Sequence, residues 1–521
     1  MRKQIKFLVI YLLASGLLFV PEVSYCERSL TQKVFTGYEL AQDWDIIAAE
    51  KLSNALLKEH PESGDVHFLK ARIEFLKGNY DRSWEILQRV SNDYKEITDF
   101  KKLVRATRQV AKKFIIHETE HFIIRYEEGA DEVLLLYAEK VLEKSYRVLG
   151  EILEYYPQDK ILIEIYPKRE PFSKVSPLTM QDILTSGTVA LCKYNRIMMI
   201  SPGSLVRGYN WMDTLSHEFV HYLLTKKSRN RLPLWTHEGI AKMLETRWRN
   251  DPKYMSPIME TILSGALKNN YRVELKDMMP SLAKLKTAED VQLAYAEVST
   301  MMEYLASQKG IKIFSQLLDD LSRGKTFDES FLARVGTGLA SFQNKWETWA
   351  KKKELKYIPG ITALKKEFKS KNELEPEKDF KGMHTKRARD LTFLGDILKS
   401  RNHYMAAILE YQKAKKESKT HSPILSNKLA RTYIQTRKYD EAELILKETL
   451  EYYPDFHTTL SNLGELYFIR ERYDVAQKYL EKALRINPFN PFIHSRLIDL
   501  YDRMKMSEKK KLQTKLFSFI D

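Results

Sequence analysis

His217-Glu218-Phe219-Val220-His221 lies inside an amphipathic stretch from about Trp211 to Leu224, and no other pattern constrains the chain as tightly. Residues four apart share one face of an α-helix, so the two imidazoles can address a single metal ion. Glu218 sits beside a ligand without being one, where a carboxylate can take a proton from water. Two incidental histidines on a surface helix would give the same string, but the stretch Pro233-Leu234-Trp235-Thr236-His237-Glu238-Gly239-Ile240-Ala241 argues against that. A catalytic zinc site needs a third protein ligand, and Glu238 opens a second amphipathic helix after a loop long enough to turn back. His237 competes for the role, since zinc accepts imidazole as well as carboxylate. Helix spacing favours Glu238, with Gly239 expected to let the second helix pack close to the metal helix.

The ends and the composition narrow the setting. Met1 to Lys6 is a basic start and Phe7 to Val20 an apolar core of signal-peptide length, with small residues Ser24 and Cys26 before a cleavage point at Glu27. Residues 1–26 are therefore expected to be an export signal, placing the protein in a periplasmic or extracellular space. If the segment stays uncleaved it becomes a membrane anchor, although it is short for a full span. Tyr25 stands where a lipoprotein signal needs a small residue. After cleavage Cys192 is the one remaining cysteine, so no intramolecular disulfide is available. The 521 residues are 43% hydrophobic and 30% charged, enough for two to four domains and too apolar for a disordered chain. The net charge of +15 comes from lysines and arginines interleaved with acids along most helices, with no recognition motif for nucleic acid. Nucleic acid is not an expected partner.

Along the chain the period of the apolar residues changes twice. Residues 27–112 read as paired amphipathic helices, with Ala71, Tyr80 and Leu87 suggesting a degenerate helical hairpin. A generic helical cap on the next domain fits the same residues. From Lys113 the runs shorten and become β-branched and aromatic: Phe114 to His117, His121 to Tyr126, Lys160 to Tyr166, Thr188 to Leu191 and Arg196 to Ile200. A long helix is expected from about Asp131 to Tyr155. Strands followed by the His217 helix imply an α+β domain with that helix packed under the sheet, ending near residue 355. Residues 356–389, rich in lysine and glutamate, read as a linker that would leave the parts on either side independent.

The last third repeats. Ala430, Tyr433, Tyr439, Ala442 and Pro454 recur 34 residues later as Gly464, Tyr467, Tyr473, Ala476 and Pro488, and Gly395, Tyr404 and Ala407 mark an earlier copy. This period, with small residues where helices cross and Pro at the turn, is the tetratricopeptide signature over residues 390–521. Such arrays are all-α and offer a concave surface to a protein or peptide.

The metal motif can be placed among zinc patterns. Metzincins need Gly and His three and six residues past the second histidine, where this chain has Leu224 and Lys227. Residues from about Lys113 to Lys353 resemble the peptidase MA-like domain, a gluzincin-type, zincin-like family found with tetratricopeptide repeats. The resemblance rests on Glu118 to Tyr126, His217 to His221, Pro233 to Ala241 and Phe342-x-x-x-Trp346-x-x-Trp349. It implies Zn2+ held by His217, His221 and Glu238, with Glu218 as general base. It also implies that Tyr295 donates to the oxyanion, though Tyr295 reads equally as a packed helix aromatic. The expected function is a zinc metallopeptidase acting on a peptide or protein substrate, with the repeats recruiting a protein. The competing expectation is a non-catalytic repeat scaffold with a relic or structural zinc domain, which predicts the loss of a ligand or of the base. All four residues are present.

Overall fold

A computed structural model describes residues 23–520 except 92–93, 280–281, 283–284, 286, 365 and 370–384. The expected export signal up to Glu22 and residues 365 and 370–384 of the expected linker lie outside the described residues. The chain opens with five helices, α1 (Val23–Gln42), α2 (Ile46–Glu59), α3 (Gly64–Leu76), α4 (Tyr80–Leu87) and α5 (Lys95–Ala111). Consecutive helices pack on one another, α1–α3 around Ala49, Leu56, Leu69 and Ile73 and α3–α5 around Phe68, Phe75, Leu87 and Val104, in keeping with the hairpin reading. No helix among the described residues is long and apolar enough to cross a membrane.

The five expected strands form one sheet: β1 (Phe114–Glu118), β2 (Phe122–Glu127), β3 (Ile161–Tyr166), β4 (Ala190–Lys193) and β5 (Arg196–Ile200), in the order β1-β2-β3-β5-β4. The two hairpins are antiparallel and the central pairs β2–β3 and β3–β5 are parallel. The turn between β4 and β5 needs positive φ at Tyr194 and Asn195, as a two-residue hairpin loop demands. Between β2 and β5 lie α6 (Leu135–Leu153), α7 (Arg169–Val175) and α8 (Met180–Ser186).

Every residue of β3 is buried, because both faces of the sheet are covered. Ile161, Ile163 and Ile165 face the main core with α6, while Leu162, Glu164 and Tyr166 face the other side. There the carboxylate of Glu164 pairs with buried Arg196 at 3.0 Å and accepts from Tyr80 on α4 at 2.5 Å. The rings of Phe75, Tyr80 and Tyr194 enclose the Arg196 guanidinium, which fixes the N-terminal helices to the sheet.

The metal motif falls on α9 (Trp211–Ser228), followed by α10 (Leu234–Leu244). Asn210 caps α9, and Phe219, Val220, Leu223 and Leu224 are fully buried along it. Each such side chain contributes roughly 1.5–3 kcal/mol by burial, so the rotation of α9 is energetically decided. Phe219 meets Phe122 of β2 edge to face, placing the helix under the sheet as expected. The domain continues through α11 (Pro257–Lys268), α12 (Ala288–Lys309), α13 (Ile313–Ser322), α14 (Phe327–Val335) and α15 (Leu339–Lys352). Trp346 of α15 is buried with its indole N–H on Thr300 of α12, which braces that helix.

Four helical hairpins complete the chain: α16 (Lys386–Ser400) with α17 (Tyr404–Glu417), α18 (Pro423–Gln435) with α19 (Tyr439–Tyr452), α20 (His457–Ile469) with α21 (Tyr473–Ile486), and α22 (Pro491–Arg503) with α23 (Ser507–Phe517). Gly395 and Gly464 sit where Tyr411 and Leu480 of the next helix cross, with no room for a Cβ. The expectation of an independent array is not met. Leu516, Phe519 and Ile520 pack into the core of the metal-site domain. Gly208, at φ +64°, comes so close to the Ile486 carbonyl that a Cβ would lie 2.4 Å from it. The start of the linker bridges both parts, with His421 N–H on the Gly360 carbonyl at 2.9 Å and Ile358 N–H on Thr261. A lysine- and glutamate-rich segment reads as a tether because it has little apolar periodicity, yet the linker's part in these bonds is played by its backbone groups, which carry no sequence signal.

Candidate metal centre

The two histidines of α9 and the first turns of α10 meet. His217 Nε2 and His221 Nε2 lie 3.1 Å apart, and Glu238 Oε2 lies 3.6 Å from the first and 3.4 Å from the second. Three atoms each about 2.0–2.1 Å from a tetrahedral ion are separated by roughly 3.4 Å, so this triangle has the size a zinc ion needs. Glu238 Oε2 is buried and has no hydrogen-bond partner among the described residues. A buried carboxylate oxygen without a partner is costly, and a cation would satisfy it. The residues present therefore fit a zinc ion.

The charges support the same reading. Burial alone would lower the pKa of His217, but Glu238 and Glu245 outweigh it and raise it to about 10. Burial works against the charge of Glu238 too, yet His221 and His217 hold its carboxyl well below the usual range. A proton on His217 thus offsets a buried carboxylate, the service a metal cation provides more strongly.

His237 is not the third ligand. It points its Nδ1 at His221 Nδ1, 3.2 Å away, and burial together with His221 lowers its pKa to about 3, keeping it neutral. A neutral His237 can accept the Nδ1–H of His221 and so present Nε2 to the metal. Adjacent helix positions point about 100° apart, so Glu238 and His237 cannot both face the site.

Glu245 was not singled out in the sequence. It follows Glu238 by seven residues, two turns along the same face, and its carboxylate receives His217 Nδ1 at 3.0 Å while pairing with Lys242. That seven-residue spacing was the available signal. Asp213, one turn before His217, is held by Trp248 and Arg249.

Glu218 leaves the ligand cluster and faces the sheet edge, where the peptide N–H of Cys192 on β4 donates to it. Burial raises its pKa above the ordinary carboxylate range, with the two histidines acting against the shift. Tyr295 on α12 reaches the same place, with its phenol on Glu238. Burial, then Glu238 and Glu218, keep that phenol protonated.

Gly239 corrects one expectation. Its open face meets α12 rather than α9, and a Cβ there would lie 2.5 Å from the Val298 carbonyl. A second cluster, Glu120, His121 and Glu143, also has metal-like spacing. Its carboxylate is already occupied by Thr119 Oγ1, His121 N–H and His121 Nδ1, so it staples the β1–β2 turn to α6.

Residues 157–352 match the Peptidase MA superfamily, and residues 47–92 and 427–491 match the tetratricopeptide repeat. The first match begins after β1, β2 and α6, which the resemblance had included. The second extends the repeats to the N-terminal helices. No curated protein matches the sequence. Solved structures with some likeness include native leukotriene A4 hydrolase from Saccharomyces cerevisiae, at 11% identity and a TM-score of 0.32, covering 78% of this chain and 67% of that one. The P58(IPK) TPR domain aligns at 12% identity and a TM-score of 0.22 over 92% of this chain and 99% of that one. The APC/C hetero-tetramer Cut9–Hcn1 aligns at 10% identity and a TM-score of 0.25 over 96% of this chain and 80% of that one. The chain carries a domain of the Peptidase MA superfamily, bracketed on both sides by tetratricopeptide repeats.

Proposed function

We propose that this protein is a zinc-dependent peptidase whose repeats bring a protein or peptide to the metal site. The observation that carries the reading is the triangle of His217, His221 and Glu238, with the buried Glu238 Oε2 lacking a hydrogen-bond partner among the described residues. A zinc ion at such a site supplies a Lewis acid and lowers the pKa of water. Glu218, held beside β4 by the Cys192 N–H, accepts the proton of the attacking water and passes it to the leaving amine. Burial raises its pKa, which favours the uptake of that proton. Tyr295, protonated and next to Glu238, donates to the oxygen on which charge develops. Glu245 and His237 orient the two imidazoles from behind.

An extended peptide would add to β4, the edge strand of the sheet that passes beside Glu218. Export follows from residues 1–26 in the same reading, and fractionation of the native host tests it. The function is tested by zinc analysis of the purified protein and by cleavage of a peptide library. Activity should vanish with a chelator and return with zinc. Hydrolysis that survives complete removal of metal would overturn it.

A further inference from the structure

Lys366 comes to the neighbourhood of the metal site from a distant part of the chain. The segment Lys366–Lys369 lies along the loop after β5, with Val206 N–H on the Glu367 carbonyl at 2.9 Å and Lys369 N–H on the Ser204 carbonyl at 2.8 Å. Leu205 and Phe368 pair antiparallel between those bonds, and Glu367 forms an ion pair with Arg207 at 2.6 Å. Phe368 packs against the core with the Arg169 guanidinium over its ring. These contacts hold Lys366 in one place.

From there its stem passes over Gly187, its ammonium donates to the Gly187 carbonyl at 3.2 Å, and it stands 5.6 Å from the centre of the Tyr209 ring. Gly187 leads into β4 and Tyr209 into α9, so the ammonium marks one end of the substrate edge. Lys242, Glu245 and Glu218 are the charged groups whose fields reach it. Its side chain is exposed to solvent, so it remains a cation at neutral pH.

The direction of the strand decides what that cation would meet. Ile200 N–H donates to the Val189 carbonyl, so the alternation of an antiparallel pair turns the peptide groups of Ala190 and Cys192 outward. The Cys192 N–H is the one that holds Glu218. A peptide added antiparallel, the more stable pairing, has its amino end near Lys193 and its carboxyl end toward Gly187.

We propose that Lys366 is a specificity-determining residue that binds the α-carboxylate of a peptide ending a few residues beyond the scissile bond. The proposal rests on the peptidase reading of the metal site. It makes the enzyme one that trims short pieces from carboxyl ends.

The test uses peptides of identical sequence with a free carboxylate or a carboxamide at the end, and a third set of carboxamides bearing Asp or Glu near the end. Zinc-loaded wild type should cleave the free acids with kcat/KM roughly tenfold or more above the amides, the scale of one charge-assisted contact. Lys366→Met should bring the acids down toward the amides with zinc content unchanged, and Lys366→Arg should retain the preference. The same peptides are titrated into zinc-loaded Glu218→Gln with and without Lys366→Met. Hydrolysis without discrimination, or discrimination that survives Lys366→Met, overturns the role of Lys366 and leaves the peptidase standing. A preference for the acidic amides over the free acids overturns the α-carboxylate assignment. Binding that favours acids through Lys366, with no hydrolysis of any peptide, supports Lys366 and overturns the peptidase. Neither hydrolysis nor binding overturns both.

Discussion

Gly239 lies against the Val298 carbonyl so closely that a Cβ would sit 2.5 Å from it, and this contact positions the neighbouring Glu238. Gly239→Ala must push α10 away from α12, since the obstructing atom is backbone. Overpacking of this kind costs about 1–3 kcal/mol. The shift should also weaken zinc binding, read by competition with a chromogenic chelator. A variant with wild-type melting and wild-type zinc affinity would show that the two helices adjust freely.

Glu218→Gln keeps the size of the side chain and removes the base. Zinc should remain bound while turnover falls roughly a hundredfold or more, the usual scale for a lost general base. His221→Ala should lose the metal outright, and Glu238→Gln should bind it more weakly. Metal content and single-turnover rates on the same preparations separate the two kinds of effect.

Glu245→Gln tests the orientation of His217. The Nδ1 contact at 3.0 Å goes to a carboxylate, and weakening such an outer partner typically costs 10- to 100-fold in metal affinity. The loss should be smaller than that of His221→Ala. Equal losses would make Glu245 a ligand.

Glu297 on α12 is buried, its carboxylate accepts from the Val273 N–H, and burial raises its pKa from 4.5 to about 8. The folded state therefore holds a proton that the unfolded chain releases above pH 4.5. Its contribution is fully present below that pH and is lost as pH rises through about 8. Glu297→Gln should melt progressively higher than wild type from pH 6 to pH 8, the gap widening by up to ~1.4 kcal/mol per pH unit. Parallel melting curves across that range would place the proton elsewhere.

Deletion after Arg389 should destabilise the metal-site domain, because Leu516, Phe519 and Ile520 leave its core and the Gly208 face loses Ile486. Each large apolar side chain exposed costs on the order of 1.5–3 kcal/mol. Calorimetry should show one transition for the full chain and a lower one for the truncated domain. Two independent transitions in the full chain would restore the tether.

What the sequence determined alone is what short-range geometry determines. His217 and His221 had to share a helix face because 3.6 residues make a turn, and the strands from Phe114 to Ile200 announced themselves by β-branched runs. The 34-residue recurrence of Tyr433 and Tyr439 required stacked hairpins, since one hairpin cannot bury its own apolar face. What remained open was every choice that depends on how one helix docks against another. Glu238 rather than His237 faces the imidazoles because α10 is rotated by its packing on α12, through Gly239 and Val298. The service of Glu245 to His217 follows from that same rotation. Lys366 reaches the neighbourhood of the metal site, and Leu516 the core, through backbone pairing and close packing between segments more than a hundred residues from α9. Such contacts depend on shape in three dimensions, and a pattern read within a turn or two of chain does not contain them.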